Sequence, residues 1–290
     1  MAELNEKLLY ETAWFARNAF AGVENCLHGR TDAARPLEAH FLRNLLIGLL
    51  DAQRADPSFR HADMLEFFAF CLPRLKDSHA QILQDLWALY MLGEKRGGFF
   101  VEFGACDGQK LSNTLLLERA YGWTGILAEP NPVWHEALKR NRTARICTDC
   151  VAARSGEVVE FLSADQMPEL SRIAGIVPDD VHERNGNRDR QTRFAVNTIS
   201  LNDLLESQGA PRVVDYLSLD TEGSEYEILR TTDFDRWSFR LISVEHAGET
   251  EKREAILTLL QSRGYTRWRP DLSRWDDWYV GESHAGSAPI

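Results

Sequence analysis

A chain of 290 residues with 44% hydrophobic and 27% charged side chains has the composition of an ordinary soluble globular protein, long enough for one large domain or two moderate ones. A formal charge of −11 argues against a nucleic-acid partner, because binding to a phosphate backbone rests on clustered Lys and Arg. No apolar run is long enough for a membrane span, and the opening residues lack the basic-then-apolar order of a signal peptide, so the expected location is cytoplasmic. The five cysteines are odd in number and scattered through apolar segments, which suits reduced thiols better than a disulfide framework.

Residues 1–95 read as a helical N-terminal region. Apolar positions recur at three and four, as in Phe41, Leu42, Leu45, Leu46 and Leu49, and again in Ile82, Leu83, Leu86 and Leu89. Three roles fit these helices: covering a face of a sheet, capping a site, or forming a homodimer surface. From residue 96 to 282 short apolar strands alternate with amphipathic helices, the pattern of an α/β fold with a mostly parallel sheet and helices on both faces. Strands are expected at 99–103, 124–128, 144–148, 157–162, 194–199, 213–219, 239–245, 264–269 and 277–280, the last two as an antiparallel hairpin at one edge. Residues 283–290 read as a flexible tail.

The first strand, Phe99 to Phe103, runs into Gly104-Ala105-Cys106-Asp107-Gly108, and the second ends on Glu129, 21 residues beyond Gly108. Strand, small-residue turn, helix, strand and acid is how open α/β sheets build a nucleoside pocket, with the acid accepting from ribose hydroxyls. A pyrophosphate needs G-x-G-x-x-G and bare backbone N–H groups, whereas this turn has only Gly104-x-x-x-Gly108 and carries the carboxylate of Asp107. An acid-lined turn suits a cationic nucleoside, of which S-adenosylmethionine is the common one. Asn131 before Pro132 reads as an N-cap followed by proline at the first helical position. Cys147-x-x-Cys150 has no second ligand pair and reads as buried strand-end thiols.

Between 163 and 193 the chain is polar and turn-rich and holds Arg184, Arg188, Arg190 and Arg193. It is either a solvated loop or a lid whose arginines would meet an anionic substrate. The strand 213–219 then ends in Asp220-Thr221-Glu222-Gly223-Ser224-Glu225, and acids at the carboxyl edge of a buried strand are costly unless something polar or cationic meets them. Ser224-x-x-Glu227 reads as a capping box, with Glu225 complementing the helix dipole. Asp220 and Glu222 are therefore the catalytic candidates. His246, following Glu245 at the end of the next strand, is a third, as a proton acceptor or as part of a carboxylate cluster around a divalent ion.

These blocks, together with Ser112-Asn113-Thr114 and Glu129-Pro130-Asn131-Pro132, resemble the FkbM-type S-adenosylmethionine-dependent methyltransferases over roughly residues 97–281. The resemblance implies a class I methyltransferase, Rossmann-like fold with seven main strands, acting on hydroxyl oxygens of sugars, glycans or natural products. It further implies that Glu102, Gly104, Ala105 and Asp107 line the methionine end of the cofactor, with Ser112 and Asn113 near its carboxylate. Glu129 would bind the ribose with Asn131 beside it, Asp149 and Cys150 would lie near the adenine, and Asp220 would sit by the transferring methyl. Glu222 and His246 would face the acceptor. His246 would take the acceptor's proton directly, or Asp220, Glu222, Glu245 and His246 would hold Mg²⁺ to activate it. Two other readings stand beside this one. A nicotinamide-dependent sugar-modifying enzyme should show G-x-G-x-x-G and Tyr-x-x-x-Lys, which are absent, and a non-catalytic assembly protein would have lost motif residues.

Overall fold

A computed structural model describes residues 62–176 and 181–282. The sequence expectations for residues 1–61, including dimerisation through those helices, and for the tail at 283–290 lie outside the described residues. The chain divides into two compact units, and the second, Glu66–Ile290, carries the sheets. Among the described residues no helix is long and apolar enough to cross a membrane.

The main sheet has seven strands in the order β10-β11-β9-β8-β1-β2-β3. Its members are β1 (Phe99–Phe103), β2 (Thr124–Ala128), β3 (Arg145–Cys147), β8 (Val213–Leu219), β9 (Ser238–Glu245), β10 (Tyr265–Trp268) and β11 (Asp276–Gly281). Strands β3, β2, β1, β8 and β9 run parallel, β11 is antiparallel to β9, and β10 closes the edge as an antiparallel hairpin with β11. This is the α/β class expected from the alternation of strand and helix. Strands buried on both faces read as continuous apolar runs, and β1 and β8 do so because helices cover both sides.

One face packs Leu204 and Leu205 of helix α6 (Leu201–Ser207), Ile228 and Leu229 of α7 (Glu225–Thr231) and Ile256 and Leu260 of α8 (Thr250–Ser262) against Val101, Leu217 and Ile242. The other face packs Phe67 of α1 (Ala62–Cys71), Leu86 to Met91 of α2 (Gln84–Met91), Leu116 and Leu117 of α3 (Leu115–Tyr121) and Leu138 of α4 (Pro132–Asn141) against Phe100, Tyr216 and Leu241. Residues 67–91 thus do the sheet-covering job. Trp87 lies against Trp278 with centroids 5.1 Å apart, and Trp278 against Trp268 at 5.7 Å, so the hairpin is locked to α2 by stacked indoles.

The strands expected at 157–162 and 194–199 belong elsewhere. With β4 (Cys150–Ala152) and β6 (Arg172–Ile173), β5 (Val158–Ala164) and β7 (Gln191–Ser200) form a second sheet in the order β4-β7-β5-β6. Here β5 and β7 are antiparallel, pairing Val158 with Asn197 through Ala164 with Gln191. The polar segment between them is structured over its described part: a 3-10 turn at Pro168–Leu170, then β6, then the helical turn α5 (Val181–Arg184).

The sheet order reverses between β1 and β8, and at such a switch point the loops leaving two neighbouring parallel strands part to opposite faces and leave a crevice at their carboxyl ends. Gly104, Glu129, Asp220 and Glu245, at the ends of β1, β2, β8 and β9, line a cavity at that edge.

Candidate functional site

Strand β1 ends on Gly104, whose φ of +71° is left-handed and whose added Cβ would lie 2.2 Å from the Asp220 carbonyl oxygen. Only glycine lets the turn after β1 touch the turn after β8. Gly104 and Ala105 then donate their N–H groups to the Ala128 carbonyl, tying the turn to the end of β2. Asp107 folds back locally, one carboxylate oxygen accepting from the N–H groups of Gln109 and Lys110 at 2.8 Å.

Glu102 is not among the residues that line the cavity. It is buried beneath the turn, accepts from Asn113 N–H at 2.7 Å and from the Ser112 and Thr114 hydroxyls, and pairs with Arg142 Nη1 at 3.4 Å. Arg142 also bonds Glu118, at 2.8 Å, and the Gly108 carbonyl, and at φ +73° Gly108 leaves room for its side chain, which an added Cβ would strike at 2.5 Å. The pair therefore braces the turn from below. Its buried charges demand partners, and each has several.

At the end of β2, Glu129 is buried and accepts from Cys106 N–H at 2.9 Å through one oxygen and from Asn131 N–H at 2.8 Å through the other. Burial pushes its carboxyl up to about 7. Asn131 caps α4 as expected, accepting from Val133 N–H, but its amide goes to the Ser163 and Ser171 hydroxyls and it does not line the cavity. Of the pair after β3, Cys150 lines the cavity and Asp149 does not. Cys147 and Cys150 are buried free thiols.

The edge of β8 and β9 gathers the acids. One carboxylate oxygen from each of Asp220, Glu222 and Glu245 lies within 4.8 Å of the others. Loss of solvent is the first cause that raises all three pKa values; the second is the charge of Glu225 for Asp220 and that of Asp220 for Glu222 and Glu245, with Arg188 opposing the rise at Glu222 through a direct ion pair. The backbone is strained at the same edge, with Glu222 at φ +56° and Ala247 at +52°.

The capping box at Ser224 does not form. The Ser224 hydroxyl donates to Thr221 Oγ1, and Glu227 pairs with Arg230 on the surface. Glu225 does the local work: it is fully buried, accepts from the N–H groups of Thr221 and Gly223, and pairs with Lys252 at 2.8 Å. The correction has a physical reason, because a carboxylate inside the turn reaches two free backbone donors while Lys252 of α8 supplies its counter-charge.

His246 is buried, its Nδ1 accepts from Gly248 N–H at 3.0 Å, and its Nε2 points toward Asp277 Oδ1, 4.0 Å away. Burial holds its pKa below the ordinary histidine value. Glu245 and Ala247 on either side line the cavity, but His246 does not. An alternating strand end sends neighbours to opposite faces, and the histidine takes the inner one.

The cavity holds about 280 Å³ and joins both halves of the edge, from Gly104, Ala105, Asp107 and Glu129 through Ser112 and Asn113 to Asp220, Glu222 and Glu245. Asn113 donates to Ser218 Oγ, while its Oδ1 is buried without a hydrogen-bond partner. Sequence reasoning missed Gln81, Gln84, Trp134 and Phe161, which also line the cavity. Their backbone neighbours carry no motif, and only the acid pair Asp276-Asp277 inside an otherwise apolar strand signals that a polar partner such as Gln84 must reach it.

A family model for the methyltransferase FkbM domain matches residues 102–267. The chain belongs to the FkbM methyltransferase family. It is 26% identical over 247 residues to the methyltransferase sdnD of Sordaria araneosa, a match that covers 74% of this chain and 93% of that protein. Among solved structures it is similar to a human methyltransferase 10 domain containing protein, at 13% identity and a TM-score of 0.35 over 69% of this chain and 82% of the other. It is also similar to the METTL16 methyltransferase domain, at 14% identity and a TM-score of 0.33 over 68% and 65%. Membership of the FkbM family makes the protein a methyltransferase and implies S-adenosylmethionine as the methyl donor. The matched stretch contains Glu129, Asp220, Glu222 and Glu245, and it leaves Gln81, Gln84 and Trp275 outside.

Proposed function

We propose that this FkbM methyltransferase moves the methyl group of S-adenosylmethionine to a hydroxyl oxygen of a sugar, glycan or hydroxylated natural product. The observation that carries the reading is that one cavity is lined both by Gly104, Ala105 and Glu129 and by the three clustered carboxylates Asp220, Glu222 and Glu245.

At the nucleoside end, Glu129 accepts from the ribose hydroxyls, each of its oxygens using one lone pair on a backbone N–H and keeping another for the ligand. Cys150 lies toward the base. Gly104 and Ala105 let the chain pass close to the methionine portion, and the unpartnered Oδ1 of Asn113 accepts from its ammonium. Ser112 supports this end through Glu102 and Arg142. Asp220 and Asp107 bring negative charge toward the sulfonium, which favours the charged donor over its neutral product.

Methyl transfer is an in-line displacement: an acceptor oxygen forms a bond to the methyl carbon as the carbon–sulfur bond breaks and its electron pair returns to sulfur. Alignment of the two substrates supplies much of the rate. The hydroxyl proton passes to a carboxylate of the Asp220, Glu222 and Glu245 cluster, a step worth roughly 10²–10⁴-fold. Raised pKa values bring these carboxylates closer to the operating pH, where a general base works best. His246 has no part in that step, being turned to Asp277.

A second reading keeps the acceptor and changes the activator. Three oxygen donors within 4.8 Å suit Mg²⁺, and the buried Glu245 Oε2 has no hydrogen-bond partner among the described residues. Bound there, the ion would lower the pKa of the acceptor hydroxyl.

Incubation with S-adenosylmethionine and a panel of hydroxylated acceptors, read as S-adenosylhomocysteine formed and a mass gain of one methyl on oxygen, tests the reading. Methylation only at nitrogen or carbon contradicts it. The same assay after chelation, with and without added Mg²⁺, separates the two activators.

A further inference from the structure

Beyond the acids, the acceptor end of the cavity is closed by two segments that lie outside the family-matched stretch. Gln81 and Gln84 come from the turn into α2, and Trp275 comes from the connection between β10 and β11. They reach the same place by different routes, and three features mark the place as built.

The first is the separation of Trp275 from the other tryptophans of the hairpin. Trp268 and Trp278 are committed to the stack with Trp87, whereas Trp275 lines the cavity. The second is rigidity. The Trp275 carbonyl accepts from the N–H groups of His246 and Ala247 at 2.8 and 3.1 Å, which fixes its position relative to Glu245, and its Nε1 donates to Gln81 Oε1 at 3.3 Å. Gln84 is buried, donates from Nε2 to Asp276 Oδ2 at 2.9 Å and accepts from Ile82 N–H at 2.8 Å. Both segments hold a non-glycine residue in the left-handed region, Leu83 at φ +72° and Arg274 at +53°.

The third is charge. Among the described residues that line the cavity, the acids Asp107, Glu129, Glu169, Asp220, Glu222 and Glu245 stand with one lysine, Lys110, itself paired with Glu169 at 3.0 Å, and with His182. Arg188, which the sequence offered to an anionic substrate, pairs instead with Glu222, and Lys252 pairs with Glu225. An acceptor bearing a carboxylate or phosphate would meet carboxyl groups on most sides and, among the described lining residues, no lysine or arginine without a carboxylate partner.

We infer that Trp275, Gln81 and Gln84 form the acceptor-recognition wall of this enzyme, holding a neutral hydroxylated ring against the indole and the carboxamides and rejecting its acidic counterpart. The indole supplies a rigid apolar face, its N–H being spent on Gln81, and the carboxamides keep a second N–H and a second oxygen lone pair for hydroxyls without adding charge. The inference rests on the O-methylation reading and assigns its selectivity to residues that this reading does not use.

The test uses the full chain saturated with S-adenosylhomocysteine and titrated in a calorimeter with methyl glucopyranoside and, separately, with the corresponding methyl glucuronide. The neutral glycoside should bind at least about ten-fold more tightly than the acid. Trp275→Ala and the surface change Gln81→Ala should each weaken the neutral glycoside by about ten-fold while S-adenosylhomocysteine binds within about two-fold of the parent. Equal or tighter binding of the glucuronide, an unchanged glycoside affinity in both variants, or no glycoside binding at all to the loaded protein would overturn the wall and leave the cofactor assignment standing. Failure of the parent protein to bind S-adenosylhomocysteine would instead strike the methyltransfer reading first, and this inference with it.

Discussion

The Cβ that Gly104 lacks would sit 2.2 Å from the carbonyl oxygen of Asp220, so the nucleoside turn and the acid turn touch backbone to backbone. In the proposed mechanism that contact fixes the distance between the donor's sulfur and the acceptor's base. Gly104→Ala must therefore move one turn or the other, in addition to forcing alanine into φ +71°, and it should cost about 2 kcal/mol or more in stability and weaken S-adenosylhomocysteine binding. Gly156→Ala is the control: φ is +79° but nothing lies within 4 Å of the new methyl, so only the conformational cost of about 1 kcal/mol applies and ligand affinity stays put. Thermal melts and calorimetric titration of both variants check the contrast.

Arg142 separates bracing from binding. It is buried against Glu102 and Glu118, and its removal strands two carboxylates. Arg142→Met should cost about 3–5 kcal/mol, read by denaturant unfolding. If Glu102 were a cofactor ligand rather than a brace, Glu102→Gln would change S-adenosylhomocysteine affinity more than stability; the expected order is the reverse.

The acids of the site give the protein a pH dependence of defined sign. Burial raises Glu129 to about 7 and Asp276 to about 8, so between the ordinary carboxylate range and those values the folded chain holds protons that the unfolded chain has lost. Their stabilising contribution is complete below about pH 4 and is lost as pH climbs through 7 and 8, on the order of 3 kcal/mol for Glu129 alone. Melting temperature of the ligand-free protein should fall from pH 5 to pH 8.5. S-adenosylmethionine, whose sulfonium favours ionised carboxylates, should bind more tightly as pH rises over the same range, and neutral-sulfur S-adenosylhomocysteine should show a shallower trend.

Arg188 opposes the rise of the Glu222 carboxyl through a direct ion pair and reaches it from the segment between β6 and β7. Arg188→Met removes that counter-charge, so the Glu222 carboxyl rises further. The acid limb of the pH–rate profile should then shift to higher pH, with kcat falling more than KM for S-adenosylmethionine changes. A uniform loss of activity with an unmoved profile would mark Arg188 as structural only.

The strands that position the site were legible in the sequence because they are buried on both faces: Phe99–Phe103 and Val213–Leu219 appear where the apolar runs put them. So were Asn131 as a cap and the glycine turn, whose signals are local. What the sequence withheld is non-local. Arg142 lies 40 residues from Glu102, and Gln84 lies 192 residues from Asp276, and no spacing rule joins either pair. The capping box failed for the same reason, since Lys252, not the local pattern, decides that Glu225 is the inward acid. That Glu245 and Ala247 line the cavity while His246 lies behind it was not legible, because a strand end tells which residues alternate but not which face is the cavity. The antiparallel pairing of β5 and β7 was hidden because a run of strand-forming residues marks a strand but not its partner.

The central claim is that Glu129 and the turn after β1 hold a sulfonium nucleoside beside Asp220. Calorimetric titration of the parent chain and of Glu129→Gln with S-adenosylmethionine, S-adenosylhomocysteine and NAD tests it most directly. The account predicts that the parent binds both adenosyl ligands and not NAD, and that Glu129→Gln, which keeps the fold as judged by its melt, loses about ten-fold or more in affinity for both. Tight binding of NAD, or unchanged adenosyl affinity in a folded Glu129→Gln variant, would contradict it.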